Sequence, residues 1–426
     1  MTERTMKLVQ GFCDTRRQWL QSCLAVGTAA VSPKLSWANS PRRKLPVAAV
    51  VTRYFKSSHS DVLVTKILEG WRHDGREGPD LQLVALYADQ LKDSDPVHDL
   101  ARKHGFPIVP TIDEALTLGT NRLVVEGVLS IGEHGNYPYT PDTNQKMYPR
   151  RHFFDEIVRA MQRTGQFVPL FNDKHIGYRW SDATAMVDTA KRLGIPFMAG
   201  SSLPVAWRYP QASLPLESDI DEVLCIGHGR LESYGFHALE SLQCLAERRR
   251  GGETGVKAVT VVQGEAIWGA RSQGRWSHDL LEAALATIDV PTNNLQKQIN
   301  EQKSTFYLIE YRDGLRGTVA MLDGIASEFA VACRLRQKQD PFACWFRQEG
   351  PPYGHFEYLL RAIEHMFHTG QPAYPVERTL LTTGILDRVM HSIYQGGVTL
   401  KTPELDFCYQ PADWPFANRE VENFPG

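Results

Sequence analysis

Two positions stand out as able to move protons. Lys174 follows the apolar run 167–171 and the pair Asn172-Asp173. A lysine at the tip of a strand can hold a substrate hydroxyl or relay its proton. His237 is followed three residues later by Glu240, which on a helix shares its face. A histidine that titrates near neutral pH, oriented by a carboxylate, is a general base. Gly132-Glu133-His134-Gly135-Asn136-Tyr137 follows another apolar run and has the composition of a ligand-contacting loop. Asp89 closes the run 81–87, where a carboxylate can accept a ribose hydroxyl of a bound dinucleotide. Lys56, Ser57 and Ser58 precede a segment with helical spacing, and hydroxyls with a cation at a helix start suit a phosphate. Tyr234 beside the histidine, and Arg208 after Trp207, offer the aromatic and polar faces that suit a sugar.

These residues need a scaffold to bring them together. The pattern predicts strands over 46–54, 81–87, 106–109, 122–131, 167–171 and 195–198. Helices are expected between them, over 61–71, 96–104, 111–118, 153–164 and 182–193, several closed by glycine. Such alternation gives an α/β fold, with a Rossmann-like, doubly wound parallel sheet over 44–200 and a crevice at the strands' C-terminal ends. After residue 201 the pattern changes. Proline-bearing sequence leads to a helix over 236–250, a strand over 256–263 and a helix over 277–288. Short strands follow over 305–312, 317–322, 328–335 and 344–347, then closing helices over 358–369 and 376–395. Tight turns such as Arg312-Asp313-Gly314 imply a C-terminal α+β domain over 201–426 with a mostly antiparallel sheet.

The chain has 426 residues, 42% of them hydrophobic, and a net charge of -2. That size and balance suit a two-domain globular protein and exclude a global positive field for nucleic acid. The run Glu247-Arg248-Arg249-Arg250 reads as a solvated helix cap. Near the N-terminus, Thr15-Arg16-Arg17-Gln18-Trp19-Leu20 precedes a mild apolar run over 23–31 and then Ser36-Trp37-Ala38. This reads as a twin-arginine signal over 1–38, cleaved after Ala38 and leading to the periplasm. The run is shorter than the ~20 apolar residues a membrane span needs. The twin-arginine route carries folded proteins, so a tightly held cofactor is expected. Beyond the signal, Cys225, Cys244, Cys333, Cys344 and Cys408 show no CxxC spacing, which argues for free thiols.

Three stretches carry a resemblance to the glucose–fructose oxidoreductase and inositol dehydrogenase family. Asn172-Asp173-Lys174-His175 resembles that family's Glu-Lys-Pro after a strand, with Asp173 as the acid and His175 replacing the proline. The stretch 229–240 resembles its G-x-L-x-D-x-G-x-H-x-x-D, with Gly229, Leu231, Gly235 and His237 in place, Ser233 for the first Asp and Glu240 for the second. The helix from Pro375-Val376-Glu377-Arg378 resembles its closing helix. The resemblance implies an NAD- or NADP-linked oxidoreductase of a sugar or polyol carbinol. It places Lys174, His237 and Glu240 in catalysis. Glu133, His134 and Asp173 fall at the cofactor, and His175 at the substrate. It also implies a homo-oligomer built on sheet faces. The chain departs from the family at the turn after the first strand, Thr52-Arg53-Tyr54-Phe55-Lys56-Ser57-Ser58, which holds no glycine. Glycines there let the backbone approach a pyrophosphate.

Two other function classes fit parts of the pattern. Glu133, His134, His175 and His237 are ligand types for a divalent metal, which would make the protein a lyase, isomerase or hydrolase on sugars. A carbohydrate-binding protein without catalysis is the third class.

Overall fold

The computed structural model describes residues 43–417, apart from 212, 303 and 337. The stretch 1–38, read above as a twin-arginine signal, lies outside the described residues. β1 (Leu45–Val51), β2 (Leu81–Ala88), β3 (Ile108–Val109), β4 (Gly127–Ile131), β5 (Leu170–Asp173) and β6 (Phe197–Gly200) form one sheet. Its order is β3-β2-β1-β4-β5-β6, and every neighbouring pair is parallel. The crossovers contain α1 (His59–Glu69), α2 (Val97–His104), α3 (Ile112–Thr117), α4 (Arg150–Thr164) and α5 (Trp180–Leu193). Crossover helices cover both faces of such a sheet. Val47, Ala49 and Val51 accordingly lie in one core cluster and Ala48 and Val50 in another, which is why β1 reads as an unbroken apolar run. The strand order reverses between β1 and β4, and the crevice opens there at the C-terminal ends.

The second sheet contains β7 (Trp207–Tyr209), β8 (Ile220–Gly227), β9 (Val256–Gln263), β10 (Thr305–Tyr311), β11 (Arg316–Met321), β12 (Phe329–Leu335), β13 (Phe342–Arg347) and β14 (Leu400–Lys401). Its order is β14-β9-β10-β11-β8-β12-β13-β7, with one parallel pair, β8 with β11, among antiparallel neighbours. β8 was not expected from the sequence, because Asp221 and Glu222 interrupt its apolar pattern. Glu222 is tolerated there because Arg316 Nη2 and Ser277 Oγ each donate to its Oε2 at 2.7 Å.

Both faces of this sheet are covered by the chain itself. Val223 and Cys225 face a cluster with α6 (Ser233–Ala246) and α11 (Val376–Tyr394). Leu224 and Ile226 face α7 (Glu265–Ser272), α8 (His278–Ala286) and α9 (Leu295–Glu301). α7 and α9 lie in stretches for which the sequence pattern predicted no element.

α10 (His355–Thr369) returns to the first sheet, where Phe356, Leu359 and Ile363 pack with Val62, Leu63 and Ile67 of α1. From Lys44 onward the described chain is one compact unit. The basic run 248–250 corrects the expectation of a solvated cap. Arg249 is buried and pairs with Glu253 at 3.0 Å and Asp313 at 2.6 Å. Cys225, Cys244, Cys333 and Cys344 are buried free thiols, and Cys408 is exposed. No helix among the described residues is long and apolar enough to cross a membrane.

Candidate active site

β5 delivers Lys174 to the crevice directly after Asp173. Its φ is 68°, the left-handed region, and its amide donates to the Gly200 carbonyl at 3.0 Å. Ser57 and His134, at the ends of the β1 and β4 connections, share this conformation. A non-glycine residue held there costs of order 1 kcal/mol, and such strain concentrates at functional sites. The Lys174 Nζ lies 2.6 Å from His237 Nε2 and 3.5 Å from Glu133 Oε1. His237 comes from the second turn of α6. An ammonium only donates, so Nε2 accepts and the ring proton sits on Nδ1, which donates to Ser201 Oγ at 2.6 Å. Burial, then the Lys174 ammonium, holds His237 well below its ordinary value, so the imidazole is neutral.

Glu240 does not touch the His237 ring, contrary to the expectation of a direct orienting contact. Its Oε2 accepts from the Ser201 amide at 3.3 Å and its Oε1 from Thr382 Oγ1 at 2.6 Å. Burial pushes its carboxyl up, against the opposing pull of Arg378. Glu133, expected at a cofactor, lies at the crevice beside Arg150 and Lys174. Arg150 Nη2 donates to its Oε2 at 3.1 Å. Burial pushes the Glu133 carboxyl up, but Lys174, His59 and Arg150 outweigh it and hold it down at about 2. Arg150 Nη1 also donates to His175 Nε2 at 2.8 Å, leaving His175 Nδ1 buried without a partner. Burial and Arg150 push His175 well below its ordinary value. Beside it, burial raises Glu232 to about 7, and its Oε1 lies 3.9 Å from His175 Nε2.

The β1–α1 turn replaces glycines with side-chain bonds. Ser58 caps α1: its buried hydroxyl accepts from the Asp61 amide at 3.2 Å and the Phe55 amide at 3.3 Å. The side chain is 0% exposed, which sets it back from the position expected of a phosphate ligand. The Ser57 amide donates to Asp61 Oδ2 at 2.8 Å, while the Ser57 and Lys56 side chains are exposed. His59, at the start of α1, reaches across the crevice to Asp173 Oδ2 at 2.7 Å. Its ring stands 6.5 Å from that of His237 and 6.2 Å from that of His134. His134, lowered by burial, also contacts Phe55 at 5.0 Å. Asp89 is exposed at the end of β2 and accepts from the Tyr87 and Tyr137 hydroxyls at 3.1 and 2.6 Å. An open cleft beside it is lined by Arg53, Gln90, Lys92 and Asn136.

The structure thus gathers Lys174, His237, Glu133, His134, Asp173 and His175 at one crevice. Tyr234 joins them, 39% exposed, with its ring 6.1 Å from His237. Arg208 does not. Its guanidinium is buried, 3.9 Å from the Phe416 ring centre, and donates to the Pro204 carbonyl, so its assignment to substrate is corrected. The alternative metal set is not assembled. Among the described residues no group of three or more histidines, cysteines or acids could hold an ion. His175 and His237 each give their one ring lone pair to Arg150 and Lys174. Sequence reasoning missed Ser201, His59 and Arg150, each remote in sequence from the partner that reveals it. The one local signal is a histidine among hydroxyls in Ser57-Ser58-His59-Ser60.

No family model and no curated protein sequence matches the chain. Solved structures do. GenD2 from gentamicin A biosynthesis, in complex with NAD, matches with a TM-score of 0.53 and 13% identity over 89% of this chain and 99% of that one. This is the fold of the inositol dehydrogenases. A myo-inositol dehydrogenase from Corynebacterium glutamicum matches at 0.50 and 12% identity, over 84% of this chain and 98% of its own. The scyllo-inositol dehydrogenase from Lactobacillus casei matches at 0.52 and 8% identity over the same shares. At such identities the likeness speaks to the fold, and the resemblance seen in the sequence is to proteins of this architecture.

Proposed function

We propose that this chain is an oxidoreductase that interconverts a carbinol and a carbonyl on a sugar or polyol, with a nicotinamide dinucleotide. The observation that carries the reading is the 2.6 Å contact of Lys174 Nζ with His237 Nε2 at the C-terminal crevice of a parallel sheet. Neighbours of the same fold support it, one solved with NAD and others named for inositols. When bound, the dinucleotide supplies the hydride acceptor or donor. Asp89, which already accepts two hydroxyls beside an open cleft, suits the ribose diol. At the β1–α1 turn a phosphate oxygen has to displace the Asp61 carboxylate from the Ser57 amide. Without glycines in this turn, Lys56 and Ser57, whose side chains are exposed, would hold a pyrophosphate with side chains as well as the backbone.

The chain's own residues handle the proton. Lys174 turns its ammonium from His237 Nε2 to the carbinol oxygen, which orients that oxygen and frees the Nε2 lone pair. His237, neutral because it is buried beside a cation, takes the hydroxyl proton at Nε2 as the carbonyl forms. Glu133 holds the ammonium in place with its opposite charge. Tyr234 offers the sugar an aromatic face. The proposal includes export by the twin-arginine route, supported by the sequence over 15–38 and by the need to fold around a cofactor first.

Fluorescence titration with NAD and NADP, followed by turnover of a panel of inositols and aldoses read as reduced-nicotinamide absorbance, tests the reading. Saturable binding with turnover, lost in His237→Ala, is expected. No binding of either dinucleotide rules the reading out.

A further inference from the structure

His237 and Glu240 lie one turn apart on α6, and both grip the same residue. The His237 Nδ1 meets Ser201 Oγ at 2.6 Å, and the Glu240 carboxylate accepts the Ser201 amide at 3.3 Å. The Leu203 amide donates to the same Oγ at 3.2 Å. Ser201 is 2% exposed, so water does not compete for these bonds. Gly200 before it has a φ of 138°, and a Cβ there would lie 2.6 Å from Glu240 Oε2. The end of β6 therefore approaches α6 more closely than a side chain would permit. Thr382 of α11 anchors the other Glu240 oxygen at 2.6 Å.

We propose that Ser201 is the positioning residue of His237: it accepts the Nδ1 proton, and Glu240 acts on the ring only through Ser201. A neutral imidazole has one donor and one acceptor nitrogen. Lys174 can only donate, so it claims Nε2, and the Nδ1–H needs an acceptor where no water reaches. Ser201 Oγ is that acceptor. When Nε2 takes a proton from a hydroxyl, Nδ1 still bears its hydrogen, so one contact serves both charge states of the ring. The proton stays on the imidazole and no bond to Ser201 forms. The consequence for turnover rests on the reading of His237 as the proton carrier; the contact does not.

The test uses the full chain labelled with nitrogen-15 in histidine, without substrate or dinucleotide. The wild type is expected to show His237 as the Nδ1–H form, with its ring proton protected from solvent. In Ser201→Ala that proton exchanges at least tenfold faster or its signal is lost, while the melting temperature and backbone spectrum are retained. Ser201→Thr, which keeps the hydroxyl, restores it. Glu240→Gln, which keeps an acceptor for the Ser201 amide, leaves the ring signal as in the wild type. Where Ser201→Ala does not fold, Ser201→Cys, of similar shape with a weak acceptor, carries the same expectation. An unchanged signal and exchange rate in a folded Ser201→Ala or Ser201→Cys overturns the proposal. Failure of the wild type to bind a dinucleotide would remove the oxidoreductase reading and leave this ring measurement intact. With turnover established, Ser201→Ala is expected to lower kcat about tenfold at unchanged KM, as a displaced general base does.

Discussion

Glu133→Gln removes the carboxylate that faces Lys174 and Arg150 and leaves the shape nearly unchanged. Glu133 is 6% exposed, with Arg150 at 3.1 Å and Lys174 at 3.5 Å. Burial alone would raise its carboxyl, yet Lys174, His59 and Arg150 hold it at about 2 instead of the ordinary 4.5. That difference corresponds to about 3 kcal/mol of stability at neutral pH, since each tenfold in proton affinity is about 1.4 kcal/mol. Because the folded-state value is depressed, the stabilisation is present above the ordinary carboxyl range and is lost as pH falls toward 2. About 1 kcal/mol should remain near pH ~3. Urea unfolding of both forms at several pH values, compared as differences, isolates this group from the other titrating carboxyls. A deficit of about 3 kcal/mol that shrinks on acidification is expected. A deficit below about 1 kcal/mol at neutral pH, or one independent of pH, would refute the charge-network account.

Ser58→Ala should cost about 1 kcal/mol in thermal unfolding through the lost cap, while dinucleotide affinity stays unchanged because the hydroxyl is turned into α1; weakened binding in a folded variant would contradict that. Gly200→Ala should lower the melting temperature by an amount equivalent to roughly 2 kcal/mol or more, since a Cβ would strain a left-handed backbone and press on Glu240. His237→Ala should remain folded with a lowered melting temperature, because it leaves buried partners unpaired, and should lose about a hundredfold or more in kcat/KM, read by steady-state kinetics. Replacing Arg16 and Arg17 together by lysine should leave the protein in the cytoplasmic fraction; continued appearance in the periplasmic fraction would contradict the export reading.

The sequence by itself determined the first sheet. Local apolar runs and glycine-closed helices are short-range features, so β1, β2 and α5 were legible within a few residues of their ends. The same local logic placed Lys174 at a strand tip and His237 at a helix start. It failed wherever the decisive partner is distant. β8 was invisible because Glu222 looks like a surface residue until Arg316 and Ser277 neutralise it. Arg249 looked solvated until Glu253 and Asp313 closed on it. Glu240 was assigned to the His237 ring by helical spacing, but tertiary packing inserted Ser201 between them. His59 became a site residue only when Asp173 crossed the crevice to meet it. Patterning records which surfaces a residue buries, because burial leaves a periodic trace in the chain. A hydrogen bond or ion pair between remote side chains leaves none, and only the packed structure decides it.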